Sequence, residues 1–154
     1  MNGSNRIEKS QPSADWLDGL ARQLREEGCS CVIRQGDEIR SFHERGVRNL
    51  YELLEHDPAF LKGASVADKV VGKGAAALMV LGGVREVYAG VISTSAVELL
   101  RRSGVRLLLG QEVPYIINRA GTGRCPVESL CLDAESPEQC FERIGTFLQT
   151  MQSK

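Results

Sequence analysis

Two segments of this sequence place charged and nucleophilic side chains beside glycines. The first covers residues 68–81; it opens with Asp68, Lys69 and Lys73 and continues as an apolar run. The second covers residues 118–128 and joins an apolar stretch to a proline-started helix through a glycine-rich turn. Cationic side chains near free backbone N–H groups bind phosphate or carboxylate. The two segments therefore predict two walls of a small-molecule site.

In the first segment, Lys69 and Lys73 are four residues apart, which puts both on one face of a predicted helix. Lysines at the start of a helix oppose its dipole, and this favours an anion beside them. The alternative is two solvated lysines on an exposed first turn. In that case Asp68 would cap the helix, whereas at a ligand site it would orient a lysine.

In the second segment, Gly121 and Gly123 allow backbone N–H groups to approach a ligand closely. Asn118, Arg119 and Arg124 would contact it, because guanidinium groups pair with carboxylate or phosphate. The spacing matches neither the phosphate-binding loop of nucleoside triphosphatases nor the dinucleotide-binding turn. A plain turn therefore remains the alternative.

Cys125 stands just before a predicted helix N-terminus, where the pKa of a thiol is usually lowered, and Glu128 follows three residues later. One hypothesis is an enzyme in which Cys125 is the nucleophile and Lys73 lowers its pKa. A capping position that needs a small residue explains Cys125 more simply, because no histidine is near it in the sequence. Ser93, Thr94 and Ser95 are expected to form a helix cap, with Ser95 and Glu98 as a capping box. The alternative is that Ser93 lines the same pocket.

The five cysteines do not form a metal-binding motif, because no pair has Cys-x-x-Cys spacing. Cys29 and Cys31 share a strand face, and with other cysteines or the two histidines they could be imagined as ligands. Packing as small core residues explains them better, so neither a metal nor a cofactor is predicted. An odd cysteine count without a secretion signal indicates reduced thiols in the cytoplasm.

Bulk properties exclude several classes of protein. The net charge of −1 and the 5% aromatic content give no basis for nucleic-acid binding. No apolar run approaches the roughly 20 residues that cross a bilayer. We expect a mobile polar tail over residues 1–12 and a single domain over residues 13–154.

With consecutive helices counted as one, the order of predicted elements is α-β-β-α-β-α-β-β-α. The predicted helices start at Ser13, Val47, Asp68, Ser95, Pro126 and Ser136, and the predicted strands are 29–34, 38–42, 84–92, 105–109 and 115–118. The first two strands form an antiparallel hairpin around a glycine turn, and residues 61–66 are a loop. The strand at 105–109 is expected to be buried on both faces. The strand at 115–118 follows the strand at 105–109 too soon for a parallel crossover, so these two strands should be antiparallel.

This order resembles the cytidine-deaminase-like fold, which implies a three-layer α/β/α sandwich with a mixed five-stranded sheet and an N-terminal hairpin. Three motifs, at residues 68–73, 87–93 and 113–128, resemble a bacterial family known as domain of unknown function 1893. The resemblance covers about residues 16–133.

Active deaminases carry His-x-Glu at the start of one buried helix and Pro-Cys-x-x-Cys at the start of the next. Residues 68–73 contain no His, Cys or Glu, and residues 92–98 contain no Cys. We therefore predict a deaminase-fold protein without zinc that binds a small anionic or nucleotide-like ligand. The alternatives are the Cys125 enzyme and a ligand-free oligomeric regulatory protein; no membrane partner is expected, and homo-oligomerisation stays open. The predicted ligand-binding residues are Asp68, Lys69, Lys73, Ser93, Asn118, Arg119, Cys125 and Glu128.

Overall fold

The computed structural model describes residues 12–44, 47–118 and 120–152. Its helices are α1 Pro12–Glu27, α2 Arg48–His56, α3 Pro58–Leu61, α4 Lys73–Gly82, α5 Thr94–Arg102, α6 Pro126–Cys131 and α7 Pro137–Gln152. Its strands are β1 Cys31–Gln35, β2 Glu38–Phe42, β3 Ser65–Val71, β4 Glu86–Ser93 and β5 Arg106–Val113. The polar tail predicted over residues 1–12 lies outside the described residues, except Pro12, which begins α1.

The five strands form one mixed sheet in the order β2-β1-β3-β4-β5. β1 is antiparallel to both of its neighbours, whereas β3, β4 and β5 are parallel. Helices α4 and α5 connect the parallel strands. Because such crossovers are right-handed and the strands advance in one direction, both helices lie on the same face of the sheet. The predicted α/β class with a mixed five-stranded sheet is confirmed.

Most of the core lies between the sheet and α4, a helix whose sequence is apolar on nearly every side and which is almost wholly buried. Helices α2, α5, α6 and α7 pack around α4. Helix α1 covers the opposite face of the sheet, where Leu20 and Leu24 pack on Val32 of β1 and Ala67 of β3. No helix in the described part of the chain is long and apolar enough to cross a bilayer.

The regular pairing of β3, β4 and β5 is interrupted at the row that contains Lys69, Gly90 and Gly110. A Cβ atom at Gly90 would lie 2.8 Å from the carbonyl oxygen of Lys69, and one at Gly110 would lie 2.7 Å from that of Gly90. Side-chain alternation also breaks there, because Ala89 and Ile92 both join the core under α4 although they are three residues apart. Glycine is therefore required wherever the backbones approach this closely.

The structure corrects the prediction for residues 61–73. The predicted loop and helix start are the strand β3, and α4 begins only at Lys73. β3 pairs with β1 on one side and β4 on the other, and its first three residues are fully buried. This pairing with distant strands overrides the helix-like spacing of Lys69 and Lys73.

Two further predictions about strands are wrong. β5 is an edge strand rather than one buried on both faces, and Leu108 on it is 44% exposed. Residues 115–118 form no strand in the sheet; the segment makes only one isolated bridge, between Ile117 and Arg124. Within the cap predicted at residues 93–95, the capping residue of α5 is Ser93 and not the capping-box residue Ser95, because the Ser93 side chain accepts a hydrogen bond from the N–H of Ala96.

Replacing Gly90 by alanine should lower the free energy of unfolding by about 1–3 kcal/mol, because the new Cβ would press on a backbone oxygen that cannot move alone. Chemical denaturation measures the loss. Gly19→Ala in helix α1 is the matched control, since a Cβ atom at that position would meet nothing within 4 Å. That variant should gain up to about 1 kcal/mol from helix propensity. Equal stability of the two variants would contradict the tight backbone approach at Gly90.

Candidate functional site

Two helix N-termini open at the same edge of the sheet. Val71 of β3 and Ile92 of β4 are paired neighbours, and the chain enters α4 and α5 directly after them. The fully buried Ser93 caps α5 through its hydroxyl oxygen, 3.3 Å from the N–H of Ala96. Sites in α/β proteins favour this edge, where the carboxyl ends of parallel strands meet.

Glu128 of α6 occupies the N-terminus of α4. Its side chain is buried, with 3% of the residue exposed. Oε1 accepts the N–H of Lys73 at 2.9 Å, and Oε2 accepts the N–H of Ile116 at 2.7 Å. The negative charge is placed well relative to the dipole of α4. An internal carboxylate thus takes the position in which the sequence predicted an external anion.

The two lysines of the first segment do not lie on one helix face. Lys69 is an exposed residue of strand β3. Lys73 begins α4, and its ammonium donates to the carbonyl oxygens of Leu132 at 3.1 Å and Ala134 at 2.8 Å. The Lys73 side chain therefore ties α4 to the segment after α6.

Asp68 is half-buried in β3 and is not a helix cap. It pairs with Cys31 across the sheet, and its Oδ1 accepts the N–H of Val70 at 3.4 Å. Burial raises the pKa of Asp68 from 3.8 to about 7. The pKa of the Cys31 thiol is raised as well, first by burial and then by the charge of Asp68. In the described part of the chain Asp68 has no ion pair, so the structure shows no lysine that it orients.

Asn118 stabilises the glycine-rich turn. Its Oδ1 accepts the N–H of Thr122 at 3.0 Å, and its Nδ2 donates to the Thr122 hydroxyl at 3.1 Å. Arg119 lies outside the described residues.

Cys125 is half-buried at the N-cap of α6, and its N–H donates to the carbonyl oxygen of Ile116 at 2.8 Å. The histidine–cysteine contact that the described residues do make is at a different place, where Nε2 of His43 lies 3.7 Å from Sγ of Cys29. The described residues therefore show no histidine that could act as a base for Cys125, so they do not support Cys125 as a nucleophile.

An apolar groove of about 360 Å³ lies beside these residues, at the carboxyl ends of β3, β4 and β5. It is lined by Val70, Val91, Val113, Pro114, Tyr115, Ile116 and Ile117. At its rim the guanidinium of Arg124 lies 4.5 Å from the centre of the Tyr115 ring. The sequence interpretation missed this groove, because it assigned residues 115–118 to a sheet strand. The signal in the sequence was the apolar run from Pro114 to Ile117, whose side chains line the groove instead of joining the sheet.

The residues at the starts of α4 and α5 do not fit a zinc ion. Gly72 and Lys73 stand at the first, and Ser93 and Thr94 at the second. An ammonium repels a cation, and hydroxyls are poor zinc ligands beside His and Cys. Within residues 12–44, 47–118 and 120–152, no three His, Cys, Asp or Glu side chains are arranged to hold a metal.

Comparison with known proteins now gives the family. The family model described as domain of unknown function (DUF1893) matches residues 19–148, and the chain belongs to that family. The fold is similar to the crystal structure of a DUF1893 family protein, TM1506, from Thermotoga maritima. The two are 25% identical with a TM-score of 0.80, over 94% of this chain and 99% of the other. No curated protein matches the sequence.

Removing the Glu128 carboxylate should destabilise the fold, because two buried N–H groups lose their acceptor. We expect Glu128→Ala to lower the free energy of unfolding by about 2–5 kcal/mol, and Glu128→Gln to lose less because the amide oxygen still accepts one bond. Glu98→Ala, on the exposed face of α5, should stay within about 0.5 kcal/mol of wild type. Urea denaturation of the three variants measures this order, and a harmless Glu128→Ala would show that the two bonds are dispensable.

The raised pKa of Asp68 predicts a pH-dependent stability with a definite sign. Below about 4 the carboxyl is protonated in both folded and unfolded chains, and between about 4 and 7 only the unfolded chain ionises. Asp68 therefore lowers stability as the pH rises through this window, and the loss is complete above about 7. Asp68→Asn should be more stable than wild type at pH 8 by about 1–3 kcal/mol, and similar to it near pH 4. Denaturation curves at both pH values measure this; a constant difference between the two proteins would contradict it.

Proposed function

We propose that this protein binds a small anionic, nucleotide-like molecule in the groove at the carboxyl ends of β3, β4 and β5, without zinc-dependent deamination. The observation that carries this proposal is the pairing of an apolar groove with a cation at its rim. A planar, mostly apolar ring would fill the groove, and a phosphate or carboxylate would face Arg124.

The groove and its rim complement a nucleotide in two ways. Tyr115 is 40% exposed and offers a ring for stacking. Arg124 pairs with no carboxylate among the described residues, so its charge is not neutralised within them. Lys69, exposed and next to the groove residue Val70, would add a second positive charge. Because Glu128 already occupies the N-terminus of α4, the ligand's anion belongs at Arg124 instead.

The strand order and directions support a cytidine-deaminase-like fold for this domain. In that fold the helices that follow two neighbouring parallel strands carry the zinc motifs. On this proposal α4 and α5 correspond to those helices, and they begin with Lys73 and with the cap Ser93. Fold analogy suggests a nucleotide-like ligand, while the residues themselves argue against the deaminase reaction. Five free cysteines are consistent with a reducing compartment such as the cytoplasm.

A thermal-shift panel of nucleoside monophosphates, nucleosides and inorganic phosphate tests this function. A monophosphate at a hundredfold excess over its Kd should stabilise the protein by about 2.7 kcal/mol, which raises Tm by several degrees. Tyr115→Ala and Arg124→Ala should each weaken binding by roughly tenfold or more. Arg102→Ala is the matched control, since Arg102 lies in the last turn of α5 at the opposite end of the helix from the groove.

The three kinds of compound test the contributions of the apolar groove and of Arg124 separately. Equal shifts with a nucleoside and its monophosphate would show that Arg124 does not bind the phosphate. Equal shifts with phosphate alone would show that the apolar groove takes no part. No shift with any compound would count against ligand binding at this groove.

A further inference from the structure

Two buried cysteines meet at the junction of α6 and α7, away from the groove. Cys131 is the last residue of α6, and Cys140 lies in the first turn of α7. Both side chains are fully buried in the main core. The two thiols lie close enough that each shifts the pKa of the other.

The packing on α4 places the same two residues together. A Cβ atom at Gly74 would lie 3.3 Å from the sulfur of Cys131 and 3.2 Å from Cδ1 of Ile144. Ile144 is four residues after Cys140, and residues four apart lie on one face of a helix. The face of α7 that carries Cys140 therefore packs beside Cys131.

Two cations surround this pair. The ammonium of Lys73 binds the carbonyl oxygens of Leu132 and Ala134, in the segment that joins the two cysteines. Arg143 donates to the carbonyl oxygen of Leu130 at 3.0 Å and to the carboxylate of Asp133 at 2.7 Å. The neighbouring Cys131 thiol, together with these two charges, lowers the pKa of Cys140 to about 7 against the opposing effect of burial. The surroundings of Cys140 thus favour the thiolate, which is the reactive form of a cysteine.

We propose that Cys131 and Cys140 are a redox pair that a hydroperoxide converts to a disulfide. The Cys140 thiolate attacks one peroxide oxygen; the S–O bond forms, the O–O bond breaks, and the leaving alkoxide takes a proton. The sulfur of Cys131 then attacks the sulfenic acid of Cys140; the S–S bond forms, and hydroxide leaves with the Cys131 proton as water. Two thiols and one hydroperoxide give one disulfide, one alcohol and one water.

The segment between the cysteines gives the peroxide its route. Leu132 is 54% exposed and the side chain of Asp133 is 85% exposed, so the segment lies at the surface. A local opening of this short segment, with release of its hydrogen bonds to Lys73 and Arg143, would expose both thiols without unfolding the sheet. A thiol of a reducing compartment that forms a disulfide in this way is a sensor or a catalyst rather than a structural staple.

Peptide mapping of the full chain after hydrogen peroxide treatment tests the proposal. Remaining thiols are alkylated under denaturing conditions, and the chain is cleaved after glutamate. Cleavage at Glu128, Glu135, Glu138 and Glu142 puts Cys131 on peptide 129–135, Cys140 on peptide 139–142 and Cys125 on a separate peptide. We expect peptides 129–135 and 139–142 to be joined, with the loss of two hydrogens, and to separate on reduction.

Two variants give the order of events and the control. In Cys131→Ser the sulfenic acid of Cys140 should persist and be trapped by a 1,3-dione. Cys125→Ser removes the half-buried thiol and should leave the crosslink unchanged. Full alkylation of Cys131 and Cys140 in treated wild-type protein, or a crosslink from either one to a different cysteine, would overturn the proposal. The crosslink measurement on the wild-type protein does not depend on whether either variant folds.

Discussion

The carboxylate of Glu128 holds together the three pieces of backbone that surround the groove: the start of α4, the segment around Ile116, and α6 itself. A buried carboxylate is costly unless its oxygens are hydrogen-bonded, and both oxygens here accept backbone N–H groups at the positive end of a helix. Gly72 permits this contact, because a Cβ there would lie 3.0 Å from Oε1. The segment that forms one wall of the groove is thus fixed by a charge on a helix twelve residues further along the chain.

The close approach of the backbones at Gly90 and Gly110 shapes the other wall. A strand that alternated strictly would turn Ile92 away from the core under α4. The break in alternation keeps Ile92 in that core and leaves its neighbour Val91 to line the groove, beside Val70. The apolar surface at the strand ends therefore results from two glycines that have no side chain of their own. The same approach of backbones explains why Lys69 and Gly90 are skipped in the paired register of β3 and β4.

The sequence predicted five strands in a mixed sheet, and the structure has five, but one of them is different. Residues 65–71 were missed because Asp68 and Lys69 interrupt an apolar run, and because the spacing of the lysines imitates a helix. Residues 115–118 have strand-forming side chains but find no partner in the sheet. Both outcomes depend on distant pairing, which local patterns do not contain. Lys73 and Glu128 were predicted to lie at one site, and the N–H of Lys73 does donate to the Glu128 carboxylate. That this bond is internal, and is not made to a ligand, depends on tertiary geometry that the local sequence does not contain.

Helix α6 connects the groove to the cysteine pair. Glu128 lies in its first turn and Cys131 is its last residue, and both contact the first turn of α4, at Lys73 and Gly74. Three helical residues separate them by only about 4.5 Å along the axis, so both contacts lie on the same short stretch of helix. A disulfide to Cys140 that pulled on α6 would therefore shift Glu128 relative to Ile116, and with it the wall of the groove. Coupling of this kind is reciprocal. If formation of the disulfide changed the free energy of ligand binding in the groove, a bound ligand would change the free energy of disulfide formation by the same amount.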